Sequence, residues 1–445
     1  MPWHPCITAG SSVTVSAVTW ELTDFRLVTA SAYPGMMAPL TAHPSCVCVL
    51  SGDADGRLAD RGTAALSLEA LDGVRRRWRF GDVARLADFV PKVLAETPAD
   101  DRPILLIPPR SSVAWEAAAA TWPCQVRLVG GAAESVGRIA EDKIWVRRQL
   151  QGIGVPVPDD LVLSPGEIDF GMAQSTLDTP FVLQAPNGAG GQGTYLIEDA
   201  GGLAAALAQQ PHVDRWLLSR FAGRTTINVA GVVHVDGVQL LPASVQTSGI
   251  AELGVGFGAY CGSDFAAPAQ LSAEVLSQAY AQAEVVGKWL HGLGHLGLFG
   301  ADIAVTGDSI AFLEINPRIQ GSSWLLSKLQ QAQGVSPCLQ QHVRALLGQP
   351  VESTELPIST QAGSHLLVRW SGPAGVVLSV PDLTQVEGVT VTAMPAAGIT
   401  VLPGAILARL EAGNSLATPD GRGLLPGTRA FLEAFQSGVK LIPLP

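Results

Sequence analysis

Along residues 1–135, short unbroken apolar runs alternate with polar, turn-rich stretches. The runs 46–50 (CVCVL), 104–107 (ILLI) and 126–129 (VRLV) predict buried strands. Residues 82–90 predict a covering helix, with Asp82 in the N-cap position and Pro91 at its end. Continuous Val, Ile and Leu separated by helical segments favour a parallel sheet over a sandwich. The strand ends at Pro108-Pro109-Arg110 and Gly130-Gly131 suit either a ligand or a plain turn.

From about 136 to 350 the pattern changes. Residues 142–151 predict a helix with Ile144, Val146 and Leu150 on one face, stopped by Gly152, Gly154 and Pro156. Strands are expected over 180–184 and 194–197, joined by a glycine-rich loop, and again over 216–221 and 225–235. Val275, Leu276, Val286 and Leu290 place a helix over 272–290. Residues 300–305 and 310–315 predict a hairpin around Thr306-Gly307-Asp308-Ser309, and a helix follows over 323–333. After about 351 the composition shifts to Val, Thr, Gly and Pro, with short strands at 365–370, 376–379, 389–393 and 405–410 and a closing helix over 428–435. A chain of 445 residues is too long for one core. Three domains are expected: an α/β domain (1–135), a central domain (136–350) and a small β-rich domain (351–445).

Composition narrows the class. Hydrophobic residues are 47% and charged ones 15% of the chain, against a usual charged share of about a quarter. That suits packed α/β layers and excludes a disordered chain. A net charge of −11 argues against a broad nucleic-acid surface, and the basic cluster 75–79 reads as a solvated helix face. No apolar run approaches the roughly 18 residues of a membrane span, and Met1-Pro2-Trp3-His4 does not start like a signal peptide. Cysteines at 6, 46, 48, 124, 261 and 338 form no CxxC and read as reduced thiols. The expectation is a cytoplasmic protein with neither nucleic acid nor membrane as partner.

The strongest chemical signal is Phe312-Leu313-Glu314-Ile315-Asn316-Pro317-Arg318. Residues two apart on a strand share a face, so Glu314 and Asn316 project together while Leu313 and Ile315 are expected to point into the core. A carboxylate beside an amide oxygen suits Mg²⁺ when phosphate oxygens complete its shell, and Asp302 on the preceding strand offers a third oxygen. Arg318 adds a permanent cation. The bland alternative is an edge strand with a wet polar face. The second signal is Asn187-Gly-Ala-Gly-Gly-Gln-Gly193 between two strands: glycines let backbone N–H groups wrap phosphate oxygens, although a flexible hairpin tip fits equally. It is neither a Walker loop nor a dinucleotide fingerprint. The third is Lys143, after Glu141-Asp142 at a helix start, either a phosphate partner or a surface lysine.

Taken in order, the stretches Glu141-Asp-Lys-Ile…Arg147…Leu150…Gly154-Val-Pro-Val-Pro158, Pro180-Phe-Val-Leu-Gln…Gly190-Gly-Gln-Gly-Thr194, Phe221-Ala-Gly223 and Asp302…Phe312-Leu-Glu-Ile-Asn-Pro-Arg318 resemble the ATP-grasp superfamily over roughly residues 136–345. The likeness is greatest to biotin-carboxylase-like members and, within them, to amino-acid and peptide ligases of natural-product pathways; Ala243-Ser-Val-Gln246 and Tyr260-Cys-Gly-Ser-Asp264 add to it. It implies an α+β ATP-grasp fold behind a Rossmann-like parallel-sheet domain, with ATP and two Mg²⁺ ions as cofactors. By the same resemblance, Lys143 and Gln184 touch nucleotide, and Gly188, Gly190, Gly191 and Gly193 cover the phosphates. Arg220 and Ala222 read the adenine, Thr225 lies at the ribose, and Asp302, Glu314 and Asn316 hold metal. Arg318, with Glu314 and Asn316, is catalytic.

Three positions depart from the family pattern. Gln184 stands for a second lysine, Ser219 for the hinge acid and Thr225 for the ribose acid. Ser322 and Ser323 precede a helix and either hold a substrate carboxylate or cap the helix. The function expected is ATP-dependent joining of a small carboxylate to an amine, an amino acid or peptide, through an acyl phosphate with release of ADP and phosphate. The alternatives are a biotin-carboxylase-like carboxylating enzyme and a silent ATP-binding module. A homodimer is compatible with this class.

Overall fold

A computed structural model describes residues 21–54, 63–79, 81–97, 100–110, 112–128, 139–188, 190–350, 362–381, 385–386 and 388–444. Gly130-Gly131, Cys6 and the first residues therefore lie outside the described part. The N-terminal sheet is five-stranded and wholly parallel, in the order Ala64–Ser67, Cys46–Ser51, Arg26–Ser31, Ile104–Ile107, Val126–Leu128. Its central strands are buried on both faces, as their unbroken apolar sequence requires.

A four-stranded antiparallel sheet, Asp160–Leu163, Trp216–Arg220, Phe181–Gln184, Thr194–Ile197, carries the glycine-rich loop between its last two strands. Its own core, around Phe181, Leu183, Trp216 and Leu218, is packed under Ala173, Leu177 and Leu203 from two helices. Beside it lies a ten-stranded sheet built from the hairpin Gly297–Thr306/Ser309–Asn316, the long strand Thr225–His234, then Ser244–Ser248 and Tyr260–Asp264. Helix Ala273–Gly292 covers it, capped by the Ser272 hydroxyl, which accepts from the Val275 N–H. The whole is a mixed α/β fold.

The ten-stranded sheet does not end near residue 350. Tyr260–Asp264 pairs with Ser364–Arg369, which pairs with Ile406–Ala412, and Val389–Thr392 follows. Strands from both sides of the expected boundary thus share one sheet. A further small sheet joins Lys440–Pro443, Gly375–Ser379, Thr400–Val401 and, in parallel, Val74–Arg75 from the N-terminal region.

Several local expectations are corrected. The basic cluster 75–79 is not a helix face: Arg75 sits in a two-residue strand, fully buried against Glu69 and Asp53. Residues Asp82–Phe89 form a 3-10 helix whose N-cap is Gly81, and Pro91 occupies the first turn of the next helix, Val90–Glu96. There proline's missing N–H costs nothing. The closing helix Pro426–Gly438 is followed by a strand, Lys440–Pro443, that its sequence did not announce. Among the described residues no helix is long and apolar enough to cross a membrane.

Candidate active site

A cavity of about 760 Å³ is lined by residues of the ten-stranded sheet, of the sheet that carries the glycine-rich loop and of the segment after strand Arg26–Ser31. Its chemistry is unlike that of the whole chain. Among the described residues, Arg76, Arg77, Arg79, Lys143, Arg147, Arg220, Arg318, Arg369 and Arg422 line it, against the acids Asp82, Asp302 and Glu314. In a protein of net charge −11, that concentration of cations marks a site for a polyanion.

The acidic corner follows from strand register. Asn228 lies directly opposite Asp302, and Asp302 directly opposite Glu314, across three neighbouring strands. Alternation sends Ile227, Val229, Ala301 and Ile315 into the apolar core and the polar row into the cavity. Leu313, expected in the core, lines the cavity instead, because the pairing shifts register between Asp302 and Ile303 and Phe312 takes the core position. Asp302 is 6% exposed. Its Oδ1 accepts from Asn228 Nδ2 (2.5 Å) and Gln246 Nε2 (2.5 Å), and its Oδ2 from Asn316 Nδ2 (3.0 Å). Burial, then the charge of Glu314, push the Asp302 carboxyl well above the usual range, so a cation at this corner would be stabilising.

Asn316 Nδ2 also donates to Glu314 Oε1 (3.3 Å), while its Oδ1 accepts from Arg318 Nη2 (2.8 Å). For the amide to serve a metal it must turn by half, oxygen inward, an assignment hydrogen bonding alone decides. Among the described residues no three His, Cys, Asp or Glu side chains group around a metal position. Two carboxylates plus an amide match the needs of Mg²⁺, which takes one or two carboxylates and fills its octahedron with phosphate and water oxygens.

Lys143 stands between this corner and the glycine loop. Asp142 caps its helix, Lys143–Gly152, by accepting from the Ile144 and Trp145 N–H groups. The buried Lys143 ammonium donates to the Gly188 carbonyl (2.9 Å) and lies 3.6 Å from Glu314 Oε2. The loop is seated from outside: Arg77 donates to the Gly190 carbonyl (3.1 Å). Gly191, with φ of 82°, lies so close to Ala259 that a Cβ would come within 2.4 Å of its Cα, so only glycine fits. Arg318 is held by Glu141 (3.3 Å), which also pairs with Arg110 (2.5 Å). The strand end at Pro108-Pro109-Arg110 thereby meets the site through an acid.

Most residues singled out in the sequence line this one cavity: Lys143, Gln184, Gly188, Gly190, Gly191, Arg220, Ala222, Asp302, Glu314, Asn316, Arg318 and Ser322. Three do not. Gly193 lines a neighbouring, more open pocket behind the loop. Thr225 is one residue out of phase, and it is Thr226, on the same face as Asn228, that lines the cavity; strand Thr225–His234 is buried on both faces. Ser323 is buried, with its hydroxyl accepting from the Gln320 N–H (3.0 Å). Neither Ser322 nor Ser323 caps the helix Ser323–Ala332, since Ser322 is the N-cap residue without a side-chain bond. Gln184 makes only a long contact to Thr194 (3.5 Å), the Arg220 guanidinium pairs with Asp159 and Asp178, and the Ala222 carbonyl accepts from Thr306 (2.6 Å).

Other lining groups lie in or near the stretches quoted above but were given no role by the sequence. Arg147 is buried, bonded to the Pro158 carbonyl (3.0 Å) and Ser219 (3.4 Å) and 3.5 Å from Asp160. It enters beside Ser219, where the family pattern has an acid, so a buried cation faces a hydroxyl there. Tyr260 shares hydrogen bonds with Ser263 Oγ (2.9 Å) and His365 Nε2 (3.0 Å), and burial pushes its phenol well above the usual value. His365, lowered to about 3 by burial and by Arg409, stays neutral.

Residues 140–322 match the family model described as the ATP-grasp domain. The formate-dependent phosphoribosylglycinamide formyltransferase of Erwinia tasmaniensis is 26% identical over 259 residues, 56% of this chain and 55% of that protein. The chain thus spans about half the length of the curated relatives it matches first. Among solved structures, the biotin carboxylase domain of Hydrogenobacter thermophilus 2-oxoglutarate carboxylase superposes with a TM-score of 0.61 at 14% identity, covering 94% of this chain and 91% of that one. The L-amino acid ligase from Bacillus licheniformis superposes with a TM-score of 0.58 at 16% identity, covering 95% and 99%. At such identities the likeness establishes fold. Residues 140–322 of this chain are therefore an ATP-grasp domain.

Proposed function

We propose that this protein is an ATP-dependent carboxylate–amine ligase that works through an acyl phosphate. The carrying observation is the convergence, within one cation-lined cavity, of the Asp302–Glu314–Asn316 corner, the Lys143 ammonium and the glycine loop. A carboxylate is a poor electrophile until one of its oxygens takes the γ-phosphoryl group. Little covalent chemistry is then asked of the protein, only positioning and charge neutralisation.

In this reading Lys143 binds the terminal phosphates, and the N–H groups near Gly188–Gly191 close over them and keep water out. Asp302 and Glu314, with the Asn316 amide turned, would hold Mg²⁺, which when bound supplies charge neutralisation at those phosphates. Arg318, oriented by Glu141 and Asn316, faces the carboxylate being activated and stabilises the charge that develops on its oxygens. Arg147 and Ser219 line the nucleotide's other end. The finer reading, an amino acid or peptide as amine in a biosynthetic pathway, draws support from the whole-length likeness to an L-amino acid ligase.

Oxygen labelling tests the mechanism. When the amine displaces the phosphoryl group, one oxygen of the acid leaves with it. Acid labelled with heavy oxygen should therefore give singly labelled orthophosphate, ADP and an amide. Labelled AMP, or unlabelled phosphate without amide, overturns the proposal.

A further inference from the structure

One part of the cavity is built from residues that lie outside 140–322. Tyr33 follows the C-terminal end of the parallel strand Arg26–Ser31, the edge at which open α/β sheets hold ligands. It lines the cavity, is 6% exposed, and its hydroxyl has no hydrogen-bond partner among the described residues. A buried O–H without an acceptor is unfavourable until a ligand supplies one.

Arg369 ends the strand Ser364–Arg369 and lines the same cavity. It spends one of its five N–H donors on the Gly404 carbonyl (3.1 Å), and among the described residues no carboxylate pairs with it. Burial holds its pKa below the ordinary arginine value, and its charge adds to the burial that lowers Arg77 to about 10. An unpaired, partly desolvated guanidinium beside an orphaned phenol is a receptor for planar or tetrahedral oxyanions. Met36, Leu367 and Ile406 give the neighbouring wall an apolar surface.

We propose that Tyr33 and Arg369 form an oxyanion subsite that receives a carboxylate or phosphate carried by the amine substrate, whose apolar part lies against Met36, Leu367 and Ile406. In the ligase reading, Lys143, the glycine loop and the Asp302–Glu314 corner meet the phosphates of the nucleotide, and Arg318 meets the carboxylate being activated. Tyr33 and Arg369 are therefore left to the second substrate. The assignment to the amine rests on the ligase reading above; the selection for an anion does not.

Calorimetry with three amines decides it: L-leucine, with a carboxylate; L-leucinamide, the same molecule without one; and O-phosphoethanolamine, with a phosphate. Titrations run with and without saturating Mg²⁺ and a non-hydrolysable ATP analogue, whose own binding is measured separately. At least one anionic amine should bind at least tenfold tighter than leucinamide, leucine identifying a carboxylate site and phosphoethanolamine a phosphate site. Arg369→Gln should weaken that anion at least tenfold and Arg369→Lys less. Tyr33→Phe, which removes one hydroxyl and little else, should weaken it about threefold, with analogue affinity within twofold in every variant. The subsite is overturned if neither anion binds, if leucinamide binds as well as both, or if Tyr33→Phe and folded Arg369→Gln both keep wild-type anion affinity. Failure of the ATP analogue to bind would sink the ATP reading separately, because the nucleotide-free titrations still decide the anion contrast.

Discussion

Glu314 and Lys143 lie 3.6 Å apart on opposite sides of the space the terminal phosphates would occupy. Glu314→Ala removes half the carboxylate set of the proposed metal corner and touches no core packing. Turnover is expected to fall by at least about two orders of magnitude at ordinary Mg²⁺ with an unchanged melting temperature. Near wild-type turnover would show that the metal lies elsewhere. Lys143→Ala deletes a charge-assisted contact of about 1.5–3 kcal/mol, whereas Gln184→Ala deletes at most a neutral one of about 0.5–1.5 kcal/mol. Calorimetric ATP binding should separate the two, and equal, negligible losses would count against the placement of the triphosphate. Glu314, Asn316 and Asp302 were legible in sequence because a strand's two-residue period is a local property. Tyr33 and Arg369 were not, since nothing local marks a tyrosine and an arginine 336 positions apart as neighbours.

At the scale of elements, the helix Cys338–Leu346 is fastened to the strand Gly297–Thr306 through one ring. His342 Nδ1 accepts the Leu298 N–H at 2.9 Å, in the interior. That bond requires a neutral ring, and burial, with His295 nearby, lowers the His342 pKa to about 3 from an ordinary 6.5. The folded state therefore refuses a proton that the unfolded chain accepts below about pH 6.5, and stability falls as pH falls through that value. Between pH 7.5 and 5.0 this single group should cost about 2 kcal/mol. His342→Gln keeps an acceptor and removes the titration. Its stability by urea unfolding should thus gain about 2 kcal/mol relative to wild type over that interval, and parallel pH profiles would refute the argument. Long periodic elements were readable here, as in 142–151 and 272–290, where caps and apolar spacing agree. The two-residue strand Val74–Arg75 was not, because two residues display no period and the four arginines among residues 75–79 outweighed it.

For the whole molecule, that short strand joins regions far apart in the chain. Arg75 is fully buried, 2.7 Å from Glu69 and 3.9 Å from Asp53, and donates to the carbonyls of Ile406 (3.2 Å) and Ala393. Its backbone pairs with Thr400–Val401. The N-terminal sheet, the extension of the ten-stranded sheet and the small fourth sheet thus share one guanidinium, and the cavity lies among them. Arg75→Met keeps the length of the side chain but leaves two buried carboxylates facing each other without a cation. Breaking a buried pair in this way costs about 3–5 kcal/mol. The pH dependence identifies the cause. Burial and Glu69 already push Asp53 up to about 7 against the pull of Arg75, so removing the arginine pushes it further. A group whose folded pKa exceeds its unfolded value stabilises at low pH and loses that contribution as pH rises through the folded pKa. The Arg75→Met penalty should therefore be larger at pH 8 than at pH 6 by urea unfolding. Because the strand Val74–Arg75 continues into the cavity-lining Arg76 and Arg77, the variant should also weaken ATP binding without altering any residue that would touch it. A penalty independent of pH, with ATP affinity unchanged, would mean that Arg75 merely fills space and that the three sheets are held together by other contacts.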